Sequence, residues 1–163
     1  MRLLSPSMPA ALELPDLSSR TIIITGANSG LGFETTRALA RQGAHIVMAC
    51  RDLQKAGAAR TQILAEQPAA NLEVLELDLA DLASIRDFAA LIRAREAKLH
   101  ILINNAGIMA IPRQLTADGF EMQLGVNHLG HFALTGLLLD RLLATPGARV
   151  VNVSSQASNI GRM

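Results

Sequence analysis

The chain has no tyrosine and no tryptophan, and four phenylalanines supply its entire complement of large aromatic rings. It also lacks any block of lysine or arginine: 15 basic and 14 acidic residues leave a formal charge of +1. Without a basic face or rings to stack on bases, nucleic acid is excluded as the expected partner. The single cysteine, Cys50, cannot form an internal disulfide, which fits a reducing compartment. No apolar run approaches the length of a membrane span. The first stretch carries Arg2, Pro6, Pro9 and Pro15 but no sustained apolar segment, so residues 1–17 read as a loose N-terminal arm rather than a signal peptide. These absences place the chain in the cytosol. What remains is globular: 163 residues, 50% apolar and 18% charged, enough for one compact domain over residues 18–163.

Apolar patterning then alternates between two periods. Thr21–Thr25, with Ile22, Ile23 and Ile24 at its centre, is a β-branched run suited to a strand buried on both faces. Leu31, Thr35, Ala38, Leu39 and Gln42 form a helical stripe, and Gly43 stands where a helix ends. His45–Cys50 is a second strand, and Asp52 caps a helix running to about Glu66, ahead of Pro68. Leu72–Leu77 alternates apolar residues with Glu73 and Glu76, the pattern of a less buried edge strand. Asp81 starts a helix with Leu82, Ile85, Phe88, Ala89 and Ile92 on one face. Leu99–Ile103 is a fourth strand, Asp118–Ala144 a long helix with Leu129, Ala133 and Leu137 in phase, and Arg149–Val153 a fifth strand. Alternating strands and helices imply right-handed crossovers and a parallel sheet covered on both faces. The fold expected is α/β, a Rossmann-type doubly wound sheet of order 3-2-1-4-5, with the Leu72–Leu77 strand at an edge.

Between the first strand and first helix lies Thr25-Gly26-Ala27-Asn28-Ser29-Gly30-Leu31-Gly32. Glycines there permit a tight turn and let the backbone approach a pyrophosphate, while the helix N-terminus offers N–H groups and partial positive charge. A glycine pattern alone is weak, but this one sits inside a complete βαβ unit, the context it requires. Gly26, Asn28, Ser29, Gly30, Leu31 and Gly32 are therefore candidate dinucleotide-binding residues. At the end of the second strand an acidic side chain would bind the ribose hydroxyls of NAD, and an arginine would accommodate the extra phosphate of NADP. Arg51 stands there, which favours NADP(H) over NAD(H). Asp52 is the competing ribose ligand, equally explained as a helix cap, and Arg51 could equally be a solvated strand-end cation.

These features, with three more, resemble the short-chain dehydrogenase/reductase superfamily from Asp16 to Met163. The turn follows that family's Thr-Gly-x-x-x-Gly-x-Gly pattern at Thr25, Gly26, Gly30 and Gly32; Asn104-Asn105-Ala106-Gly107 closes the fourth strand; Asn127 lies in the long helix; and Val150-Val151-Asn152-Val153-Ser154-Ser155 resembles the strand that delivers a catalytic serine. Met48-Ala49-Cys50-Arg51 and Asn127-His128-Leu129-Gly130-His131-Phe132 are worded most like the retinol-dehydrogenase and protochlorophyllide-reductase-like branch. The resemblance implies that Asp78 and Leu79 lie against the adenine, and that Asn105, Ala106 and Gly107 pass beneath the adenosine ribose and nicotinamide side. It implies that Asn127 holds a water of a proton relay through its backbone carbonyl, and that Ser155 hydrogen-bonds the substrate. His128 and His131 stand one turn apart, but a third ligand at suitable spacing is missing and no metal is expected. Cys50 reads as core rather than nucleophile.

The family reaction moves hydride between a nicotinamide and a carbonyl or alcohol carbon. The matching proton passes through a tyrosine helped by a lysine, in a Tyr-x-x-x-Lys segment after the fifth strand. No such segment occurs here, and serine without a basic partner is a poor proton donor at neutral pH. The expectation is an incomplete sheet, about the N-terminal two-thirds of a family domain, inactive by itself and lacking most of the substrate pocket and oligomer surface. The fifth strand is then an exposed apolar edge, which predicts marginal stability or aggregation. A lipophilic alcohol, aldehyde or ketone is the substrate class the resemblance implies for the complete protein. The alternatives are a catalytically dead dinucleotide-binding module and a truncated, non-functional product.

Overall fold

A computed structural model of the chain describes residues 14–155. The chain alternates β1 (Thr21–Thr25), α1 (Gly30–Ala40), β2 (His45–Cys50), α2 (Leu53–Glu66), β3 (Asn71–Glu76), α3 (Leu82–Arg95) and β4 (Ile101–Asn104). It continues through α4 (Met122–Leu124), a π-helical turn (Gly125–Leu129), α5 (Gly130–Leu137), α6 (Leu139–Leu143) and β5 (Arg149–Asn152). All strand pairs are parallel and the order is β3-β2-β1-β4-β5, as the sequence pattern implied. The arm expected over residues 1–17 lies largely outside the described residues; Leu17, within them, is buried and donates its N–H to the Gln42 carbonyl at 2.8 Å.

The isoleucines of β1 explain why the sheet is central. Ile22 and Ile24 point to one side, packing with Ile46, Met48 and Ile63 beneath α1 and α2. Ile23 points to the other, packing with Val47, Leu102, Phe88 and Leu134 beneath α3 and α5. Each is fully buried, worth about 1.5–3 kcal/mol of apolar transfer free energy relative to exposure. At the edges the pattern thins. In β3 only Leu72 is buried, matching its alternation with glutamates, and in β5 Val150 and Val151 are exposed.

Helix starts follow the capping chemistry read from the sequence. Asp52 accepts from the Lys55 N–H at 2.9 Å and Asp81 from the Ala83 N–H at 2.7 Å. Gly43 adopts φ +80° just past α1, where an L side chain would be strained.

Two helical expectations need correction. The buried line of α1 is Gly32, Thr36 and Ala40, one residue out of phase with the predicted stripe, and Leu31 is exposed. Close backbone approach at Gly32, rather than side-chain apolarity, sets which face turns inward. The helix predicted over Asp118–Ala144 is in fact several pieces. Gly119, at φ +83°, turns the chain so that Leu115 bridges Glu121, and the helix begins at Met122 with the Glu121 carboxylate accepting from Gln123 and Leu124 N–H groups. The π turn inserts an extra residue, and Leu138 interrupts the path at φ −101°, ψ 1°. A Cβ on Gly130 would stand 2.5 Å from the Leu79 carbonyl oxygen, so a small residue is required where this segment crosses the β3–α3 loop. The buried line is consequently Val126, Gly130, His131, Leu134, Leu138 and Leu142, while Leu129, Ala133 and Leu137 are only half-buried.

Candidate functional site

The strand order reverses beside β1: the chain runs outward to β3, then returns to place β4 on the opposite side. Ligands of open parallel sheets sit in the crevice at the carboxyl ends of strands flanking such a switch. Thr25, Cys50, Asn104 and Asn152 end their strands there.

The glycine turn has distinct demands at its three positions. Gly26 adopts φ +65° and donates its N–H to the Ala49 carbonyl at 2.9 Å. A Cβ on Gly32 would collide with the Gly26 carbonyl oxygen and the Asn105 amide nitrogen. Gly30 adopts φ +53°, yet a Cβ there would meet nothing within 4 Å. So Gly26 and Gly32 close the turn, while Gly30 faces open space at the start of α1. Ser29, at the N-cap position of α1, makes no side-chain capping bond, unlike Asp52 of α2 and Asp81 of α3. The first N–H groups of α1 are thus without a side-chain cap, the condition under which a helix end receives an anion.

Thr25 welds this turn to the one after β4. Its buried hydroxyl accepts the N–H groups of Asn105 and Ala106 at 2.9 and 3.0 Å, and the Asn105 side chain donates to the Thr25 carbonyl at 2.8 Å. Two clefts flank the weld. One, of about 550 Å³, is lined by Gly26, Asn28, Ser29, Leu31, Arg51, Asp78, Leu79, Asn105, Ala106 and Gly107, bringing together ten of the twelve cofactor candidates. Gly30 and Gly32 do not line it. The other, of about 740 Å³, contains both catalytic candidates, Asn127 and Ser155, with an apolar wall that includes Ile108, Met109, Phe132 and Val150. Asn105, Ala106, Gly107, Ile108 and Val153 border both clefts.

A family model for short chain dehydrogenases matches residues 20–163. The chain belongs to that family. Within it the chain groups with the retinol-dehydrogenase-like branch: retinol dehydrogenase 12 of Homo sapiens is 53% identical over 147 residues, 90% of this chain and 46% of the relative. Retinol dehydrogenase 13 of Homo sapiens is 50% identical over 155 residues, 95% of this chain and 46% of the relative. The chain therefore spans about half the length of the curated relatives it matches. Among solved structures, an uncharacterized protein from Mycobacterium Paratuberculosis is 52% identical, with a TM-score of 0.78 over 93% of this chain and 52% of the other. A short chain dehydrogenase from Shigella flexneri, solved with NADP, is 26% identical, with a TM-score of 0.78 over 92% of this chain and 64% of the other.

Several short-chain dehydrogenase elements acquire particular contacts in this chain. The Asn127 side chain accepts from the Ile108 N–H and donates to the Ile108 carbonyl, both at 2.9 Å, clamping the wall between the clefts. Its backbone carbonyl, expected to hold a water, lies 3.1 Å from His131 Nδ1. Asp78 accepts the Ala80 N–H at 2.9 Å, holding the loop that presents buried Leu79. Cys50 is buried, and burial pushes its thiol up, opposed by hydrogen bonds from the Ala27 and Asn28 backbone. Among the described residues no group of three or more His, Cys, Asp or Glu is arranged to hold a metal ion, and no helix is long and apolar enough to cross a membrane.

Residues that the sequence reading passed over also enter the site. Lys55 lines the smaller cleft beside Arg51, and its position four residues after a strand-end arginine, in the first turn of α2, was the available signal. Thr25 counted only as part of a motif, and His131 only as half of a rejected metal pair and part of a family-like run. Their hydroxyl–imidazole contact joins positions 106 residues apart, which no local pattern signals.

Proposed function

We propose that this chain is the dinucleotide-holding portion of an oxidoreductase that moves hydride between NADP(H) and a carbonyl or alcohol carbon. The observation that carries the reading is the pairing of the uncapped glycine turn with two cations, Arg51 and Lys55, in one cleft. The residues fit the group: open space at Gly30 leaves room for a pyrophosphate at α1, and Asn105–Gly107 form a floor where a nicotinamide half would lie. Arg51 and Lys55 suit a ribose 2′-phosphate. Asp52, the rival ribose ligand, uses its carboxylate on the Lys55 N–H and lies 3.4 Å from Lys55 Nζ, which favours its role as a cap. The solved Shigella flexneri relative was obtained with NADP, in keeping with this preference.

When bound, the dinucleotide supplies or accepts the hydride. The chain's own residues then have separate tasks. Gly26–Gly32 orient the pyrophosphate, Asp78 and Leu79 wall the adenine side, and Asn105, Ala106 and Gly107 support the nicotinamide side. Ser155, which lines the larger cleft, hydrogen-bonds a substrate oxygen in this reading, and Asn127 holds the cleft wall. The apolar lining of the larger cleft, together with the names of the retinol dehydrogenase relatives, supports a lipophilic alcohol, aldehyde or ketone as substrate. With no tyrosine in the sequence, this chain by itself binds the cofactor without turnover. Its single buried thiol accords with the cytosol.

NADPH fluorescence titration tests the reading. Arg51→Ala and Lys55→Ala should each weaken NADPH binding about tenfold and spare NADH, the effect of one lost charge-assisted contact. Equal losses for both nucleotides would refute the phosphate assignment, and no binding of either by the parent would refute the site. Oxidation of NADPH on adding an aldehyde to the purified chain would overturn the reading that it cannot turn over.

A further inference from the structure

His131 is 6% exposed and bridges the end of β1 and the π turn. Its Nε2 is 2.9 Å from Thr25 Oγ1 and its Nδ1 is 3.1 Å from the Asn127 carbonyl oxygen. A carbonyl oxygen only accepts, so the Nδ1 contact is a hydrogen bond only if Nδ1 carries the proton. The Thr25 hydroxyl already accepts two N–H groups, from Asn105 and Ala106, which occupy both of its lone pairs. It has one proton to give. The Ile103 carbonyl, at 3.4 Å, is the longer alternative to His131 Nε2 at 2.9 Å. A single assignment therefore satisfies every short contact. Nδ1–H donates to Asn127, Thr25 O–H donates to Nε2, and the two backbone N–H groups donate to Thr25.

We propose that neutral, Nδ1-protonated His131 is a positioning residue that ties the Thr25 hydroxyl to the Asn127 carbonyl, fixing the wall shared by the two clefts. The consequence is mechanical. With its proton directed to His131, the Thr25 hydroxyl holds both Asn105 and Ala106, which border the two clefts. The same imidazole draws on the carbonyl of Asn127, whose side chain holds Ile108, the next part of the wall. His131 thus couples the nucleotide turn to the helix on the substrate side, at the base of the cleft it helps to line. Its relevance to binding rests on the dinucleotide reading above; its hydrogen-bond pattern does not.

The test uses the full chain with 15N labelling. Without nucleotide, the ring-nitrogen shifts of His131 should report the Nδ1–H tautomer; an Nε2–H tautomer overturns the proposal. His131→Leu removes both contacts and should move the Asn105 and Ala106 amide resonances and weaken NADPH binding about tenfold. His131→Gln, which keeps an acceptor and a donor, should restore most of that affinity, a recovery that mere filling of space would not give. Unmoved amides and parental affinity in His131→Leu would also overturn it. Should His131→Leu fail to fold, the parental tautomer and the His131→Gln affinity decide: loss of affinity in His131→Gln as large as that of Thr25→Val refutes the contact's replaceable polar character. A parent that binds no NADPH would defeat the dinucleotide reading, while the tautomer and the amide shifts would still judge the tie.

Discussion

Adding one methyl group at Gly32 should cost the protein stability even though alanine is the better helix former. The gain side is about 1 kcal/mol, the propensity difference between alanine and glycine within a helix. Against it stands a Cβ that would lie 2.5 Å from Asn105 Nδ2 and 3.0 Å from the Gly26 carbonyl carbon. Neither neighbour yields easily, because Gly26 is held to Ala49 and the Asn105 amide to the Thr25 carbonyl at 2.8 Å. Losing the Asn105 bond costs about 1 kcal/mol, and forcing the backbone apart about 1–3 kcal/mol more. The net is a loss of about 1–3 kcal/mol, or roughly 2–12 °C in Tm for a chain of this size. Two controls isolate the cause. Gly57 is helical, with nothing within 4 Å of an added Cβ, so Gly57→Ala should gain about 0.5–1 kcal/mol. Gly30→Ala meets no atom but must hold φ +53°, at a cost of about 1–2 kcal/mol. Thermal and urea melts followed by circular dichroism read all three. A Gly32→Ala variant that melts at or above the parent would refute the close-approach argument.

Three further outcomes follow from buried groups. Cys50, with its thiol pushed up by burial, should resist thiol reagents at neutral pH in the folded chain and react on unfolding; rapid native labelling would contradict its place in the core. Burial holds His131 and His100 below the ordinary histidine value of 6.5. Above that value both folded and unfolded forms are neutral and the stability is complete; as pH falls below it, the unfolded chain takes up protons that the folded chain resists, so stability drops. Urea midpoints measured from pH 7.5 to 5 should fall, and by less in His131→Gln; a pH-independent midpoint would count against it. Phe88, 2% exposed on the inward face of α3, should cost about 3–5 kcal/mol when cut to alanine, as seen by urea titration, and a loss below 1 kcal/mol would mean the site collapses around the cavity.

Local chemistry makes much of the architecture legible in the sequence. The β-branched run of β1, the caps at Asp52 and Asp81, the glutamates of β3 and the glycine at position 43 each act over a few residues, so their effects can be read in place. The order of strands followed because alternating elements leave few unknotted parallel solutions. The candidate site was legible where backbone geometry imposed residue type, as at Gly26 and Gly32, and where a strand end set a side chain against the crevice, as at Arg51. Tertiary structure decided the rest. A helical stripe announces that some face is buried, but not which one when the inward line contains glycine; Gly32 and Gly130 turn inward because another backbone lies against them. The π turn shifts the phase of everything after it by one residue, and propensity carries no trace of that insertion. Lys55 gained meaning only beside Arg51, and His131 only once β1 and α5 had packed together. The sequence by itself determined the five strands, the first three helices, their order and the dinucleotide turn, because those depend on neighbours along the chain. The faces those elements present, and the hydrogen bonds that weld the turn to the helix opposite, depend on neighbours in space.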